Sequence, residues 1–253
     1  MAWYKKITWW WLLATVIILT VFLTVAKSDP FWRILRFVSD GILVTVMVTT
    51  TSFLLVLIAG MFGGMARLSK NKFIYGVSTL YVELVRGIPL LVQLIWWYFA
   101  FPIVIQQIGR RFNMPSFVSY QANAYLMAVI GLVFCYGAYM SEIYRAGIQS
   151  ISKGQMEAAR SLGMSYFQAM RYVVLPQAIR VIMPPVGNEF IALLKDSSLV
   201  SVVAVADITR RGREYMSTHF NPIEVWTFIA LLYLVMTLFS ARIVAIIERK
   251  LER

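Results

Sequence analysis

Long runs of apolar residues are the feature that most constrains how this chain can fold. Six runs reach about the 20 residues that an α-helix needs to cross the hydrocarbon core of a bilayer. They lie at 8–26, 41–65, 77–104, 122–143, 185–206 and 223–247. Each run is a continuous block without strand-like alternation, and lipid can serve as the solvent for such blocks. The sequence therefore predicts an all-α membrane protein with six transmembrane helices.

The composition supports this class and excludes several others. The chain is 60% hydrophobic and only 14% charged, whereas an average soluble domain is about one-half apolar and one-quarter charged. A single cysteine, Cys135, and a single histidine, His219, provide neither a disulfide framework nor a set of soft metal ligands. We therefore exclude a zinc, haem or iron–sulfur site, and we expect His219 to lie in an outer turn before Asn221 and Pro222.

The positive charges predict the orientation in the membrane. The net charge of +12 is spread between the apolar runs, and a chain that binds nucleic acid would gather it in one stripe. If the first residue is inside, most lysines and arginines fall on inner segments, as the positive-inside rule requires. Both termini are then expected in the cytoplasm. The outer segments hold fewer basic residues, which are Lys27, Arg33, Arg36, Arg110, Arg111, Arg210, Arg211 and Arg213.

The first run has two interpretations. It follows Lys5 and Lys6 and opens with the tryptophans at 9–11, an aromatic cluster suited to the headgroup level. These features favour a retained helix. The alternative is a cleaved signal peptide, with Thr24 and Ala26 at the small-residue positions before the cut.

Two other runs contain small residues or a break. Gly60, Gly63 and Gly64 include a small-xxx-small spacing, which predicts close contact between helices in lipid. The third run is interrupted at 86–89, where proline removes a backbone donor and predicts a kink. We expect a short amphipathic segment that bends at the inner surface over 81–86.

The longest polar stretch, 144–184, predicts two short cytoplasmic helices at an angle. Serine followed three residues later by glutamine is a capping box, and glycine or proline marks a helix end. These signals are Ser152 with Gln155, Gly163, Ser165 with Gln168, and Pro176. Met156, Ala159 and Gly163 share one face, a small-residue surface suited to a groove on a partner. The alternative is a loop helix that lies on the membrane.

The fifth run is unusual because it carries charges, which in a span must face protein or water. With Pro184 and Pro185 in its first turn, Asp196 falls about 11 residues along, roughly 16 Å, near the middle of the core. Glu189 and Asp196 are seven residues apart and share a face. This arrangement indicates a transport site. The alternative is a buried structural pair of Lys195 with Asp196, whose neighbouring serines bond to the preceding turn.

Two further charge clusters have plainer interpretations. Glu142 and Arg145, three residues apart at the inner end of the fourth run, predict a helix-end ion pair. The arginines within 210–213, next to Glu214, form either an outer docking surface for a partner protein or an interfacial anchor.

The polar stretch contains a long pattern that resembles a known motif. Its fixed residues are Glu157, Ala158, Ala159, Gly163, Val173, Leu175 and Pro176. The pattern resembles the EAA motif of ABC importer permeases, which is E-A-A, three residues, G, nine residues, I, one residue, L-P. Only Val173 departs from it, replacing the isoleucine.

Three more segments resemble the polar amino acid permeases. Residues 86–93 look like R-G-T-P-x-x-V-Q, with Ile88 in place of threonine. Residues 142–148 resemble E-x-x-R-G-G-I, and residues 193–199 resemble L-L-K-D/N-T/S-S-L. The resemblance covers about 38–250 and leaves the first helix outside the five-span core that the histidine, glutamine and arginine permeases share.

The resemblance implies a permease subunit of a type I ABC importer in a bacterial plasma membrane. It implies two ATP-binding subunits, a second permease subunit (a copy or a relative), an external solute-binding protein and an amino acid substrate as partners. The chain has no Gly-Lys dipeptide and hence no Walker A loop. We therefore expect no cofactor in this chain, with ATP and magnesium bound by the ATP-binding partners.

The resemblance also favours a transport site in the fifth run, because the K-D/N stretch lies along the pathway in related permeases. Glu189 and Asp196 are expected to meet an ammonium group or a cationic side chain, which hints at basic amino acids. The candidate substrate residues are Asn188, Glu189, Lys195, Asp196, Ser197 and Ser198. The candidate coupling residues are Glu157, Ala158, Ala159, Gly163, Leu175 and Pro176.

The expected organisation is an amino-terminal membrane helix with an outer linker over 1–37 and a permease core over 38–253. The competing function is a self-sufficient channel or secondary transporter for small charged solutes. Such transporters usually show internal repeats, and the charged fifth run has no counterpart in the first three. A membrane enzyme would need a nucleophile and a base together, which this sequence does not supply.

Overall fold

The computed structural model describes residues 2–26 and 28–251, and every regular element in this part of the chain is helical. Lys27 and the last two residues lie outside it, as do the side chains of Lys5, Lys6 and Trp9. The helices are α1 (Ala2–Ala26), α2 (Ser28–Ala66), α3 (Lys72–Gly87), α4 (Leu90–Ile95), α5 (Phe101–Arg111), α6 (Pro115–Val118), α7 (Ala124–Gln149), α8 (Lys153–Ser161), α9 (Tyr166–Ala169), α10 (Leu175–Asp196), α11 (Ile208–His219) and α12 (Pro222–Leu251). Two π turns, Trp96–Ala100 and Met170–Val174, join α4 to α5 and α9 to α10, and a 3-10 segment, Ser197–Val203, follows α10.

Four of the described helices are long and apolar enough to cross a membrane: Asp29–Ala66, Leu90–Arg111, Ala124–Gln149 and Pro222–Leu251. They correspond to the second, third, fourth and sixth predicted spans. The first predicted span coincides with α1, whose described apolar part, Trp10–Ala26, is shorter. The fifth predicted span overlaps α10, which is not among the four. The multi-span helical fold is thus confirmed, whereas the count of six stays a prediction.

The fifth predicted span has the wrong limits. The helix begins at Leu175 and ends at Asp196, so Pro184 and Pro185 lie inside it, where the sequence placed them at its start. Each proline removes one backbone donor, but packing holds the helix on both sides of them. Ile182 lies against Gly147 of α7, and Gly187 lies against Val244 of α12. Asp196 is therefore at a helix end.

The sequence predicted that Pro176 ends the second of the two short cytoplasmic helices, and this is wrong. These two helices, α8 and α9, with Gly163 between them, are called the elbow from here on. The backbone stays helical from α9 through the π turn into α10, and Pro176 occupies the first turn of α10. Pro176 itself has no N–H donor, and it directly follows the π turn, in which Leu175 N–H bonds to the Met170 carbonyl five residues earlier. The helix that leaves the elbow and the helix that carries Glu189 and Asp196 are consequently one continuous helical segment.

The third predicted span, 77–104, is not one helix, because it is divided between α3 and the helical stretch that begins with α4. The amphipathic segment expected at 81–86 is the end of a longer helix, α3, and the chain breaks at Ile88 and Pro89 before α4 begins. Gln93, which is buried, donates from Nε2 to the carbonyl oxygens of Val85 at 2.9 Å and Ile88 at 2.8 Å. These bonds connect α4 to the end of α3, where the Val85 carbonyl also accepts from Ile88 N.

The core forms around α7, which packs along α2. The prediction that the three glycines of α2 allow close packing is confirmed. A Cβ atom on Gly60 would lie 2.4 Å from Met140 Cγ, and one on Gly63 would lie 2.0 Å from Ser141 Oγ. Only glycine permits this approach, which brings the two backbones together as in other small-residue contacts in lipid.

The amino-terminal helix α1 packs on the outside of this core. Leu13 and Val16 are buried against Leu238 of α12. Helix α2 runs without interruption through the expected domain boundary at 37/38, since its only non-helical residue is Asp29.

Candidate functional site

Asp196 is the centre of the candidate site. It is the last residue of α10, and the 3-10 segment Ser197–Val203 continues directly from it. The hydroxyl of Tyr136, a buried residue of α7, donates to Asp196 Oδ2 at 2.7 Å. This charge-assisted bond stabilises the carboxylate. The Asp196 carboxylate thus ties the end of α10 to the middle of α7.

Glu189 lies two turns earlier on the same face, as its seven-residue spacing predicted. It is half-buried, and both Asp196 and Arg86 are close enough to interact with it electrostatically. Arg86 comes from the end of α3 and is exposed, with its guanidinium carbon 5.1 Å from the centre of the Tyr139 ring. Such a cation–π contact holds the guanidinium in place without neutralising it.

The site therefore has two ends of opposite charge. Glu189 and Asp196 form the acidic end, and Arg86 forms the basic end. Tyr136 binds Asp196, Tyr139 contacts Arg86, and the centroids of these two rings are 6.1 Å apart. An α-amino acid carries an ammonium and a carboxylate, which such an arrangement can hold at once. The side chains of Tyr136, Tyr139 and Arg86 were not among the predicted site residues.

The remaining predicted site residues do not all join this cluster. The Ser197 hydroxyl is buried and donates to the carbonyl oxygen of Leu194 at 2.7 Å, so it serves the helix end. Ser198 is half-buried in the 3-10 segment. Asn188 and Lys195 are exposed, each one residue before an acidic member and so about 100° around the helix from it. No ion pair joins Lys195 to Asp196 in the described part of the chain.

The elbow differs in detail from its prediction. The capping box at Ser165 is present, since Ser165 Oγ accepts from Gln168 N at 3.2 Å and Gln168 Oε1 accepts from Ser165 N at 2.8 Å. The capping box at Ser152 is absent, because the backbone carbonyl of that residue, not its side chain, accepts from Gln155 N. Gly163 links the two helices with a φ of +85°, a left-handed conformation that favours glycine.

The predicted small-residue face of α8 is only partly free. Ala159 is buried and Met156 is half-buried against the neighbouring helix, while Gly163 is open. The outward surface instead carries Glu157 and Ala158 together with large apolar side chains. These exposed side chains are Leu162, Tyr166, Phe167 and Tyr172. Exposed apolar groups of this size on a polar elbow mark an interaction surface.

The predicted ion pair of Glu142 and Arg145 is present, with Arg145 Nε donating to Glu142 Oε2 at 2.9 Å. The arginines of α11 are mostly engaged within the chain. Arg211 donates to Asp40 and to Glu214, and Arg210 also donates to Glu214. The hydrogen bonds from the two arginines to Glu214 hold the pKa of that carboxyl below its usual range. His219 was expected in a turn, but it is the last residue of α11, and the connection to α12 begins after it.

The fold and site define a membrane-spanning transport subunit, and comparison with known proteins identifies its family. Residues 56–253 match the family described as binding-protein-dependent transport system inner membrane component. The chain is 32% identical over 221 residues to the glutamine transport system permease protein GlnP of Escherichia coli (strain K12), covering 87% of this chain and 95% of that protein. It is 37% identical over 227 residues to the L-cystine transport system permease protein TcyB of Bacillus subtilis (strain 168), with coverages of 89% and 90%.

Solved structures agree with these relatives. A crystal structure of an amino acid ABC transporter with histidines aligns with a TM-score of 0.74 and 37% identity, over 90% of this chain and 98% of that one. An inward-facing MetNI methionine ABC transporter shares the fold at a TM-score of 0.70 and 19% identity, over 87% and 99% of the two chains. The chain belongs to the family of binding-protein-dependent transport system inner membrane components, as a permease of an amino acid ABC transporter of the type I importer class. It is a transport subunit, and ATP hydrolysis belongs to separate ATPase subunits.

Proposed function

We propose that this permease carries polar amino acids, basic ones included, by alternating access through the cluster around Asp196. The observation that carries the proposal is the opposite charge at the two ends of that cluster. The α-ammonium or a cationic side chain meets Glu189 and Asp196, and the carboxylate meets Arg86. Ser198 is close in sequence to the acidic end, whereas the hydroxyl of Ser197 already serves the helix.

The relatives support an amino acid substrate but differ in which one. Their names specify glutamine for GlnP, L-cystine for TcyB and glutamate/aspartate for the Escherichia coli protein GltJ. Two acidic groups facing one arginine favour a substrate with an additional positive charge. L-arginine and L-histidine are therefore the first substrates to test, with L-glutamine as the neutral comparison.

We infer that the elbow couples this site to ATP hydrolysis in two partner subunits. Its residues are Glu157, Ala158, Ala159, Gly163, Leu175 and Pro176. The continuous helical path from residue 166 to Asp196 would span roughly 45 Å if straight, so a tilt imposed at the elbow reaches the carboxylate directly. Alternating exposure of the site then follows from a rigid-body motion of packed helices.

The proposed assembly also contains a second permease subunit and an extracytoplasmic solute-binding protein. We place both termini of this chain in the cytoplasm of a bacterial cell, in the plasma membrane. The segment 1–37 is proposed as an added membrane helix and linker beside the permease core 38–253. No cofactor is assigned to this chain, since ATP and magnesium are bound by the partners.

The test is ATP-dependent uptake of radiolabelled L-arginine, L-histidine and L-glutamine by the assembled importer in proteoliposomes. Glu189→Gln and Asp196→Asn keep side-chain shape and remove one charge each. A hydrogen bond to a charged group contributes about 1.5–3 kcal/mol, so apparent affinity should fall about tenfold or more. Asp29→Asn, at an exposed carboxylate that pairs with Arg33, is the matched control. Unchanged uptake of all three amino acids by well-assembled Glu189→Gln and Asp196→Asn importers would refute the site.

A further inference from the structure

A second charged cluster lies towards the elbow end of α7, and Arg86 of the candidate site is close enough to interact electrostatically with its Glu142. Glu142 of α7 accepts a hydrogen bond from Arg67 Nη1 at 2.5 Å as well as those from Arg145. Arg67 directly follows the end of α2 and is only 8% exposed, although it is an arginine. Its other terminal nitrogen lies 3.8 Å from the exposed carboxylate of Glu83 on α3. The Glu142 carboxylate thus connects α7 to Arg67 at the end of α2, and these two residues are 75 positions apart in the chain.

The backbones beneath this pair are in close contact. A Cβ atom on Gly64 of α2 would lie 2.9 Å from Tyr144 Cβ of α7, nearer than such atoms approach. Ser78 of α3 donates to the carbonyl oxygen of Gly63 at 3.0 Å. Packed interfaces of this kind shift between discrete arrangements and resist gradual deformation. The ends of α2, α3 and α7 therefore form one junction.

The junction lies immediately before the elbow in the chain. Helix α7 ends at Gln149 and α8 begins at Lys153, so three residues separate them. Arg145, which binds Glu142, also donates to Gln149 in the last turn of α7. A displacement of α8 is thus applied to the end of α7, about one turn from Arg145 and about two turns from Glu142.

We propose that Arg67 and Glu142 are positioning residues, whose ion pair makes the end of α2 follow the elbow when ATP is bound. The elbow is then connected to two other parts of the bundle. It moves Asp196 through α10, and it moves α2 through Glu142 of α7. The end of α2 and the end of α10 then move together. This inference rests on the proposed coupling function of the elbow.

The pair has a purely structural alternative, which the choice of variants separates. Glu142→Gln strands a buried guanidinium, so it can reduce assembly for that reason alone. The double variant Arg67→Gln/Glu142→Gln removes the buried guanidinium of Arg67 together with its carboxylate. Arg145, which also binds Glu142, is a quarter exposed and keeps its hydrogen bond to Gln149. Glu83→Gln is the matched control, because an exposed carboxylate at this distance contributes little.

The experiment compares these importers with the wild type in proteoliposomes. It measures subunit assembly, basal ATP hydrolysis, and the hydrolysis and uptake stimulated by the solute-binding protein with radiolabelled L-arginine, L-histidine or L-glutamine. We expect the double variant to assemble and to keep basal hydrolysis. Its stimulation should fall several-fold, with more ATP consumed per amino acid transported, and Glu83→Gln should behave like the wild type.

Two results would overturn the inference. An assembled double variant with the wild-type ratio of ATP to amino acid would show that the pair only compensates charge. Failure of both the single and the double variant to assemble would assign it a structural role. A wild-type importer that transports none of the three amino acids would instead contradict the proposed function, and the ratio of stimulated to basal hydrolysis would still test the pair.

Discussion

The hydroxyl of Tyr136 donates a 2.7 Å hydrogen bond to Asp196 Oδ2, which fixes the end of α10 to the middle of α7. These two helices are also the ones that enter and leave the elbow, because α7 precedes α8 and α10 continues from α9. Helices α7 and α10 are therefore connected twice, once through the elbow and once by this contact at the candidate site. Movement of the elbow must either carry this contact along or break it.

Tyr136→Phe tests that contact without changing the packing of the ring. We expect lower thermal stability of the assembled importer, because a hydrogen bond to a charged group contributes about 1.5–3 kcal/mol. We also expect weaker uptake of L-arginine, since the carboxylate is no longer held in place. The control is Tyr139→Phe, which keeps the ring beneath Arg86. Equal behaviour of the two variants in melting and uptake would contradict a specific role for the Tyr136 bond.

Gly147→Ala tests the packing of α7 on α10. A Cβ atom at this position would lie 2.1 Å from Ile182 Cγ1, so the helices must separate or Ile182 must move. Overpacking of this kind costs about 1–3 kcal/mol. Gly76→Ala is the same substitution in α3, where nothing lies within 4 Å of the added atom, and it should be neutral or stabilising by about 0.5–1 kcal/mol. Thermal melting of both importers in detergent is the measurement, and a Gly147→Ala protein as stable as Gly76→Ala would contradict the close contact.

The sequence predicted the apolar helices and part of the elbow, because these features depend on local signals. Apolar runs identify helices by length alone, and the Ser165–Gln168 capping box involves two residues of one turn. The boundaries of α10 were wrong because proline is a local signal that tertiary packing overrides here. Gly147 and Val244 hold the helix on both sides of Pro184 and Pro185, and nothing in the local sequence announces that.

The candidate site was predicted in part for the same reason. Glu189 and Asp196 are conspicuous because charges are rare in apolar runs. Tyr136 and Tyr139 are not, since tyrosine is common in such runs and the partner of Tyr136 lies 60 residues away. A spacing of three residues between the two tyrosines was the available signal, because it places both rings on one face of α7.

Gly163→Ala and Gly163→Asn separate conformation from size at the elbow. The φ of +85° disfavours alanine, at a cost of about 1–2 kcal/mol, while asparagine tolerates the left-handed region better. No atom lies within 4 Å of the added Cβ, so volume should not matter within this chain. We expect Gly163→Ala to retain less ATP-binding subunit on purification than Gly163→Asn. The reverse order would show that side-chain size against the partner, and not backbone conformation, controls the elbow.

Deletion of residues 2–26 tests whether α1 is an addition to the transport core. The helix buries Leu13 and Val16 against Leu238, and Trp10 lies beneath the guanidinium of Arg242, whose carbon is 5.1 Å from the ring centre. In lipid the loss of such apolar contacts costs little, because acyl chains replace the helix and no hydrophobic driving force holds it. We therefore expect the truncated chain to assemble, to retain ATP-dependent uptake and to melt at a modestly lower temperature. The intact mass of the purified wild-type chain is the companion measurement: a mature start near Lys27 would show that α1 is a cleaved signal, and abolished uptake by a well-assembled truncated importer would show that α1 belongs to the transport mechanism.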